Sequence, residues 1–184
     1  MARPATPPRP GAAKVACTAQ IESWRRPATL AVIASLALAL GIAVYLTDRD
    51  ASRAMLIPNI AAFAGGNVFG ALGQWLPSFV HPLAFSLLTA AALAPRSAPR
   101  YGACVAWAAI NVAFEVGQHP LVSARLAEAL RGPLDGWPLV EPLARYFVRG
   151  TFDWGDIAAA MLGMFSAATV LRLTQRDLEA NHAH

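Results

Sequence analysis

The sequence predicts an all-α integral membrane protein, a bundle of four transmembrane helices with a re-entrant or interfacial segment and short amphipathic surface helices. Two observations on composition favour this class, since 56% of the 184 residues are hydrophobic and only 14% are charged, against roughly 25% in soluble domains. A third observation is the distribution of the charges. Lys, Arg, Asp and Glu are absent from four runs, 27–47, 54–95, 101–114 and 157–171. An ordinary soluble domain and a disordered chain are therefore disfavoured.

The predicted spans follow these runs. A helix needs roughly 20 mainly apolar residues to cross a hydrocarbon core about 30 Å thick. The run from Ala28 to Tyr45 meets this requirement directly. We expect it to be an uncleaved anchor rather than a signal peptide, because the apolar region of a signal peptide is usually about 7–15 residues long. The four predicted spans cover about 28–46, 78–94, 101–118 and 154–171.

The positions of the basic residues predict the orientation, because cytoplasmic loops carry an excess of Lys and Arg. Most of the 15 basic residues lie in the head, in the link 95–100 and in the tail, and the others are mixed with acids. We therefore expect a multi-pass protein of the plasma (cytoplasmic) membrane with both termini in the cytoplasm. Residues 1–26 are predicted to be a disordered cytoplasmic head, 27–173 the transmembrane domain and 174–184 a cytoplasmic tail.

Two segments between the spans have predicted structure of their own. Segment 55–76 is uncharged but is interrupted by a proline and several glycines, so we expect a re-entrant or interfacial helix. If it spanned the membrane, the basic link 95–100 would face outward, against the charge rule. The outer loop 119–153 contains two amphipathic patterns, at 121–130 and 139–148. We expect both of these helices to lie on the outer membrane surface.

Polar side chains within the predicted spans mark a candidate site, because such side chains are costly in a bilayer. The third span carries Asn111, Glu115 and Gln118 at a spacing of i, i+4 and i+7, which places them on one helical face. The predicted topology brings further polar residues to the same depth near the outer face. The predicted binding residues are His81, Asn111, Glu115, Gln118, Arg149, Asp153 and Asp156.

Structural roles remain open for the same side chains. Asp153 and Asp156 also suit the N-terminus of the fourth helix as capping residues, and His81 suits a membrane interface. Glu115 requires a partner such as Arg149 or His81, or else a raised pKa, so a buried ion pair competes with a binding role. These residues match no standard metal spacing, and we expect no metal, no cofactor and no nucleic-acid partner.

Motifs in the second half of the chain connect it to a known family. The segment 114–118 (FEVGQ) places Glu115 and Gln118 in an E-x-x-Q pattern, and Arg149 precedes a segment that runs from Asp156 to Gly163. These features, with the His-containing span, resemble the VanZ-like family of small integral membrane proteins, which shows E-x-x-Q and then an arginine before D-x-x-x-N-x-x-G. The resemblance covers roughly 78–171.

The resemblance implies a small helical membrane protein, some relatives of which are linked to resistance against glycopeptide antibiotics of the teicoplanin type. It carries over Glu115, Gln118, Arg149 and Asp156 as motif matches, and His81 as a weaker one. The chain differs at Ala160, where the family has asparagine, and in the longer loop before Arg149. These differences put any role that needs the asparagine amide in doubt.

Three functions are compatible with the sequence. In the first, the polar site near the outer face binds a lipid-linked sugar, a lipid headgroup or an amphipathic glycopeptide. In the second, the protein is a membrane-embedded hydrolase or transferase in which Glu115 acts as general base with His81 or Asp156. In the third, it is a structural subunit of a membrane complex. The expected partners are membrane lipids, such a ligand, and other membrane proteins.

Overall fold

All regular structure in the described part of the chain is α-helical. The computed structural model describes residues 12–48, 68–93, 97–134 and 136–182. The helices in these ranges are α1 (Ala12–Thr47), α2 (Leu72–Ala92), α3 (Ser97–Gly117), α4 (Ser123–Arg131), α5 (Val140–Arg149) and α6 (Trp154–His182). The predicted all-α class is confirmed.

Within the described residues, three helices are long and apolar enough to cross a membrane, where the sequence predicted four. They are Pro27–Thr47, Leu72–Ala92 and Trp154–Gln175. The predicted third span, 101–118, corresponds to α3, which has 21 residues. It is less apolar than these three spans, because Arg100, Asn111 and Glu115 lie within it.

α1 and α6 extend into the predicted head and the predicted tail. α1 begins at Ala12, so residues 12–26 of the expected disordered head are helical, and residues 1–11 lie outside the described part. Pro27 lies inside α1, where it removes one backbone donor and leaves the helix continuous. α6 continues through the predicted tail to His182.

α2 begins at Leu72, before the predicted start at residue 78, so the end of the expected re-entrant segment belongs to this helix. Residues 55–67 lie outside the described part of the chain. Asp48, the residue after α1, anchors the chain just before α2. Its carboxylate accepts the N–H groups of Val68 (2.9 Å) and Phe69 (2.8 Å). Pro77 lies within the helix and removes one backbone donor without ending it.

Helices α1, α2, α3 and α6 pack into one bundle, with α2 in contact with each of the other three. Small residues permit close approach, as is usual between helices in membranes. Gly41 of α1 faces Val80, and a Cβ on Gly163 of α6 would collide with the carbonyl oxygen of Phe79. The buried core consists of Leu30, Ala34, Ala84, Leu87, Ala90, Cys104, Ala167 and Leu171.

Contacts near the helix termini fix the directions of α1, α2 and α6. The Ser78 hydroxyl, early in α2, donates to Asp156 in the first turn of α6 at 2.5 Å. The two helices therefore run parallel. Asp48, just after α1, contacts Phe69, just before α2, so α1 runs antiparallel to both.

α3 runs antiparallel to α6. At one end the Tyr101 hydroxyl hydrogen-bonds Gln175 at 3.3 Å, and at the other Glu115 accepts the N–H of Asp153. The bundle thus has two chemically different ends. The acidic end is defined by Asp48, Glu115, Asp153 and Asp156, and the arginine end by Arg100 and Arg172.

The two short helices, α4 and α5, lie at the acidic end and pack against each other. Their residue ranges nearly coincide with the predicted amphipathic segments 121–130 and 139–148. Gly136 has φ +82° in the turn between them, a conformation that glycine adopts without strain. Arg131 and Glu141 join α4 to α5 at 2.9 Å. Phe147 of α5 packs on Gly117, where a Cβ would lie 2.6 Å from its ring. The pair is therefore held against the last turn of α3.

Candidate functional site

Glu115 lies in the last turn of α3 and is 9% exposed. Its Oε1 accepts the backbone N–H of Asp153 at 2.5 Å. The sequence suggested a side chain, Arg149 or His81, as the partner of Glu115. The hydrogen bond that the structure shows is instead to the backbone N–H of Asp153, the residue immediately before α6. A backbone donor gives no signal in sequence, because every residue except proline has one.

Asp153 caps α6. Its Oδ1 accepts the N–H of Gly155 at 2.7 Å, the bond expected from an N-cap carboxylate, and its Oδ2 accepts the Trp75 indole N–H at 3.1 Å. The capping role considered for Asp153 is confirmed. Asp156 accepts the Ser78 hydroxyl and so ties α6 to α2.

Gln118 and Tyr146 complete the group at the acidic end. Gln118 is 8% exposed and hydrogen-bonds the phenol of Tyr146. Its side chain lies against Gly150, where a Cβ would collide with it. We name the following residues the acidic cluster: Tyr45, Ser78, Glu115, Gln118, Tyr146, Asp153 and Asp156.

The Tyr146 phenol is held in its neutral form. Burial raises the pKa of Tyr146 to about 12, and the neighbouring Tyr45, Glu115 and Asp156 act in the same direction. Carboxylates disfavour a phenolate because it would add a like charge. Glu115 of α3 and Asp156 of α6 therefore lie within electrostatic reach of the same phenol on α5.

Tyr146 should ionise well above the ordinary tyrosine value. The pKa of about 12 in the folded state exceeds the ordinary 10.0, so its contribution to stability is complete below pH 10.0 and is lost as pH rises through about 12. We expect the phenolate absorbance of the Tyr146→Phe variant to lack a late step that the wild type shows. A late step of unchanged size in the variant would contradict this assignment.

The other predicted site residues have the following contacts in the part of the chain that the structure describes. The Asn111 amide donates to the Trp107 carbonyl of its own helix at 2.9 Å. His81 stacks on Phe85, with ring centroids 5.9 Å apart. Arg149 is exposed at the last position of α5 and, in the part of the chain that the structure describes, forms no ion pair. Of these residues, Asn111 is bonded within its own helix and Arg149 is exposed, so a shared depth does not ensure direct contact.

Sequence reasoning missed Ser78, Trp75 and Tyr146 as members or neighbours of the cluster. For Tyr146 the sequence offered a signal, because the tyrosine lies close to Ala144 and Phe147 on the amphipathic helix α5, and both of these residues are buried. Ser78 and Trp75 gave none, because their partners lie 78 residues away.

The described side chains include no group of three or more His, Cys, Asp or Glu that could hold a metal ion. Two surface grooves lie away from the acidic cluster. One of about 540 Å³ follows the turn between α4 and α5, and its lining includes Arg131, Trp137 and Glu141. Another of about 340 Å³ lies between Tyr101 and Arg172 near the arginine end.

No protein-family model, curated protein or solved structure matches the chain. The resemblance to VanZ-like proteins therefore rests on its motif residues. Of these, Glu115, Gln118 and Asp156 belong to the acidic cluster. Gly163 has a packing role, because its missing side chain leaves room for the backbone of α2.

Proposed function

We propose that α3 is a fourth membrane crossing and that both termini face the cytoplasm. The directions of the helices support this topology. α2 and α6 run parallel, so if both cross the membrane, the chain between them must return, and α3 runs in the opposite sense beside α6. Its 21 residues extend about 31 Å at about 1.5 Å per residue. The positive-inside rule then puts the arginine end in the cytoplasm of a plasma-membrane protein.

In this topology the acidic cluster binds the hydroxyl-rich head group of an amphipathic molecule at the outer face. The observation that carries the proposal is the convergence of Glu115, Gln118, Tyr146 and Asp156 from three different helices. Carboxylates, an amide and a phenol suit hydroxyl and amine groups. A head group that is only anionic would be repelled, so a lipid-linked sugar or an amphipathic glycopeptide fits better than an anionic lipid headgroup.

Exposed apolar side chains at the acidic end suit such a ligand. The most exposed of them around α4, α5 and the start of α6 are Leu121 (79%), Trp137 (67%), Leu139 (68%) and Trp154 (73%). Trp and apolar side chains are favoured at the membrane interface. The tail of the ligand would remain in the bilayer while its head reaches the cluster. Arg149, exposed at the end of α5, is positioned for an anionic group of the same molecule.

Membership of the VanZ-like family belongs to this proposal. Its motif residues Glu115, Gln118 and Asp156 are members of the acidic cluster. Related activity towards teicoplanin-type glycopeptides would then reflect binding at this cluster.

The test is a binding assay on the full-length chain in detergent with two probes, a short-chain polyprenyl-diphosphate disaccharide and a teicoplanin-type glycopeptide. We expect Asp156→Asn and Glu115→Gln each to weaken binding of at least one probe about tenfold, equivalent to ~1.4 kcal/mol. Glu128→Gln is the matched control, because Glu128 is exposed on α4. Equal binding by the wild type and both cluster variants, or no binding of either probe, would refute the proposal.

A further inference from the structure

The groove between α3 and α6 near the arginine end has a volume of about 340 Å³. Its lining consists of Tyr101 of α3 and of Phe165, Ala168, Thr169 and Arg172 of α6. The residues of α6 have the spacing i, i+3, i+4 and i+7, so they share one face of the helix. From Phe165 to Arg172 this face is about 10 Å long, and it leads towards the arginine end.

The groove is apolar along most of this face. Phe165 is 59% exposed, and the small side chains of Ala168 and Thr169 leave space between it and Arg172. The Thr169 hydroxyl donates to the Phe165 carbonyl at 2.9 Å, so its polar group is satisfied within the helix. These residues therefore suit a hydrocarbon chain that lies along α6.

The end of the groove at Arg172 is polar and cationic. Arg172 is exposed and lies three residues before the end of the apolar span Trp154–Gln175, where an arginine extends its guanidinium to the membrane interface. The Tyr101 phenol donates to Gln175 at 3.3 Å and so fixes this wall of the groove to the end of α6. A guanidinium offers paired N–H donors that match two oxygens of a phosphate.

We propose that this groove binds one anionic phospholipid, with an acyl chain along α6 and the phosphate at Arg172. The inference rests on the proposed topology, which places the groove in the inner leaflet. There Phe165 lies deeper than Arg172, so the order from apolar to charged side chains matches the order from acyl chain to head group. Basic pockets between membrane helices on the cytoplasmic side suit anionic head groups. A soluble phosphate would use only the cationic end.

The first experiment follows thermal unfolding of the full-length chain, delipidated in a neutral detergent. Phosphatidylglycerol, phosphatidylcholine and inorganic phosphate are added separately. We expect phosphatidylglycerol to raise the Tm by about 5–10 °C at roughly a hundred times its Kd, phosphatidylcholine to raise it less, and inorganic phosphate to leave it unchanged. Equal responses to the two lipids, an equal response to inorganic phosphate, or no response to phosphatidylglycerol would each overturn the inference.

A charge variant tests the cationic end. Arg172→Gln should reduce the response to phosphatidylglycerol to the level of phosphatidylcholine, because it removes the partner of the phosphate. Arg125→Gln is the matched control, since it removes the same charge at an exposed position of α4, and it should respond as the wild type does. An Arg172→Gln variant that keeps the full response contradicts the assignment of Arg172.

A filling variant tests the apolar part of the groove by native mass spectrometry, which does not depend on stability. We expect the wild type to retain one phosphatidylglycerol molecule and Ala168→Leu to retain none, because the larger side chain occupies the space of the acyl chain. Ala39→Leu, at an exposed position of α1, is the control and should retain the lipid. Equal retention by the two leucine variants overturns the inference, and if Ala168→Leu does not fold, the lipid retained by Arg172→Gln decides.

Glu115→Gln distinguishes a failure of this inference from a failure of the proposed function, because Glu115 lies at the acidic end. This variant should retain phosphatidylglycerol as the wild type does, whatever its binding of the sugar and glycopeptide probes. Loss of the lipid from Glu115→Gln would overturn the groove as the lipid site. Failure of both probes to bind the wild type would refute the proposed function and leave the lipid result in place.

Discussion

Gly163→Ala is expected to destabilise the bundle more than any other single-methyl change considered for these helices. The added Cβ would collide with the carbonyl oxygen of Phe79 and lie 3.0 Å from the Pro82 ring. The first neighbour is backbone, so α2 and α6 must separate along their contact. Overpacking of this kind costs about 1–3 kcal/mol, and in a chain of this size each kcal/mol lowers the Tm by about 2–4 °C.

Gly102→Ala is the matched control, because a Cβ on Gly102 meets nothing within 4 Å. Both substitutions gain helix propensity, by about 0.8–1 kcal/mol, so the difference between the two variants isolates the packing term. We expect Gly102→Ala to leave the Tm unchanged or slightly raised in the same detergent. Equal Tm values for the two variants would show that α2 and α6 are not in backbone contact at Gly163.

Glu115→Ala is expected to loosen the start of α6. The substitution removes the carboxylate that accepts the Asp153 N–H. The partly buried N–H then lacks this acceptor. Hydrogen bonds to a charged group contribute about 1.5–3 kcal/mol, and we expect a loss of this size in thermal unfolding. Glu115→Gln keeps an acceptor oxygen, so it should lose less than half as much stability.

The control for this prediction is Glu128→Ala, at an exposed position of α4. Surface substitutions of this kind usually change stability by within about 0.5 kcal/mol. The comparison also separates two roles of Glu115. If Glu115→Gln folds as stably as the wild type but binds neither probe, the charge of Glu115 is needed for ligand binding. If Glu115→Ala is as stable as Glu128→Ala, the structural role of Glu115 is ruled out.

The candidate site was predictable only in part. The i, i+4, i+7 spacing on the third predicted span placed Glu115 and Gln118 at one end of the helix, and both are buried there. The same spacing included Asn111, which bonds the Trp107 carbonyl one turn earlier in its own helix. Amide side chains compete for local backbone acceptors, so a shared helical face does not ensure a shared site. Arg149 lies at the exposed end of α5, which its sequence position did not reveal.

The sequence by itself determined the helical class, the amphipathic pair α4 and α5, and the concentration of charged residues outside the apolar parts of the long helices. These properties depend on composition and on the periodicity of apolar residues within a short stretch of sequence. Only the tertiary structure decided that α3 runs antiparallel to α6, that Tyr146 lies within electrostatic reach of Glu115 and Asp156, and that Arg100 is buried. Such pairings depend on helix rotation and on how closely helices approach. Glycines such as Gly163 set that approach through contacts between residues far apart in sequence.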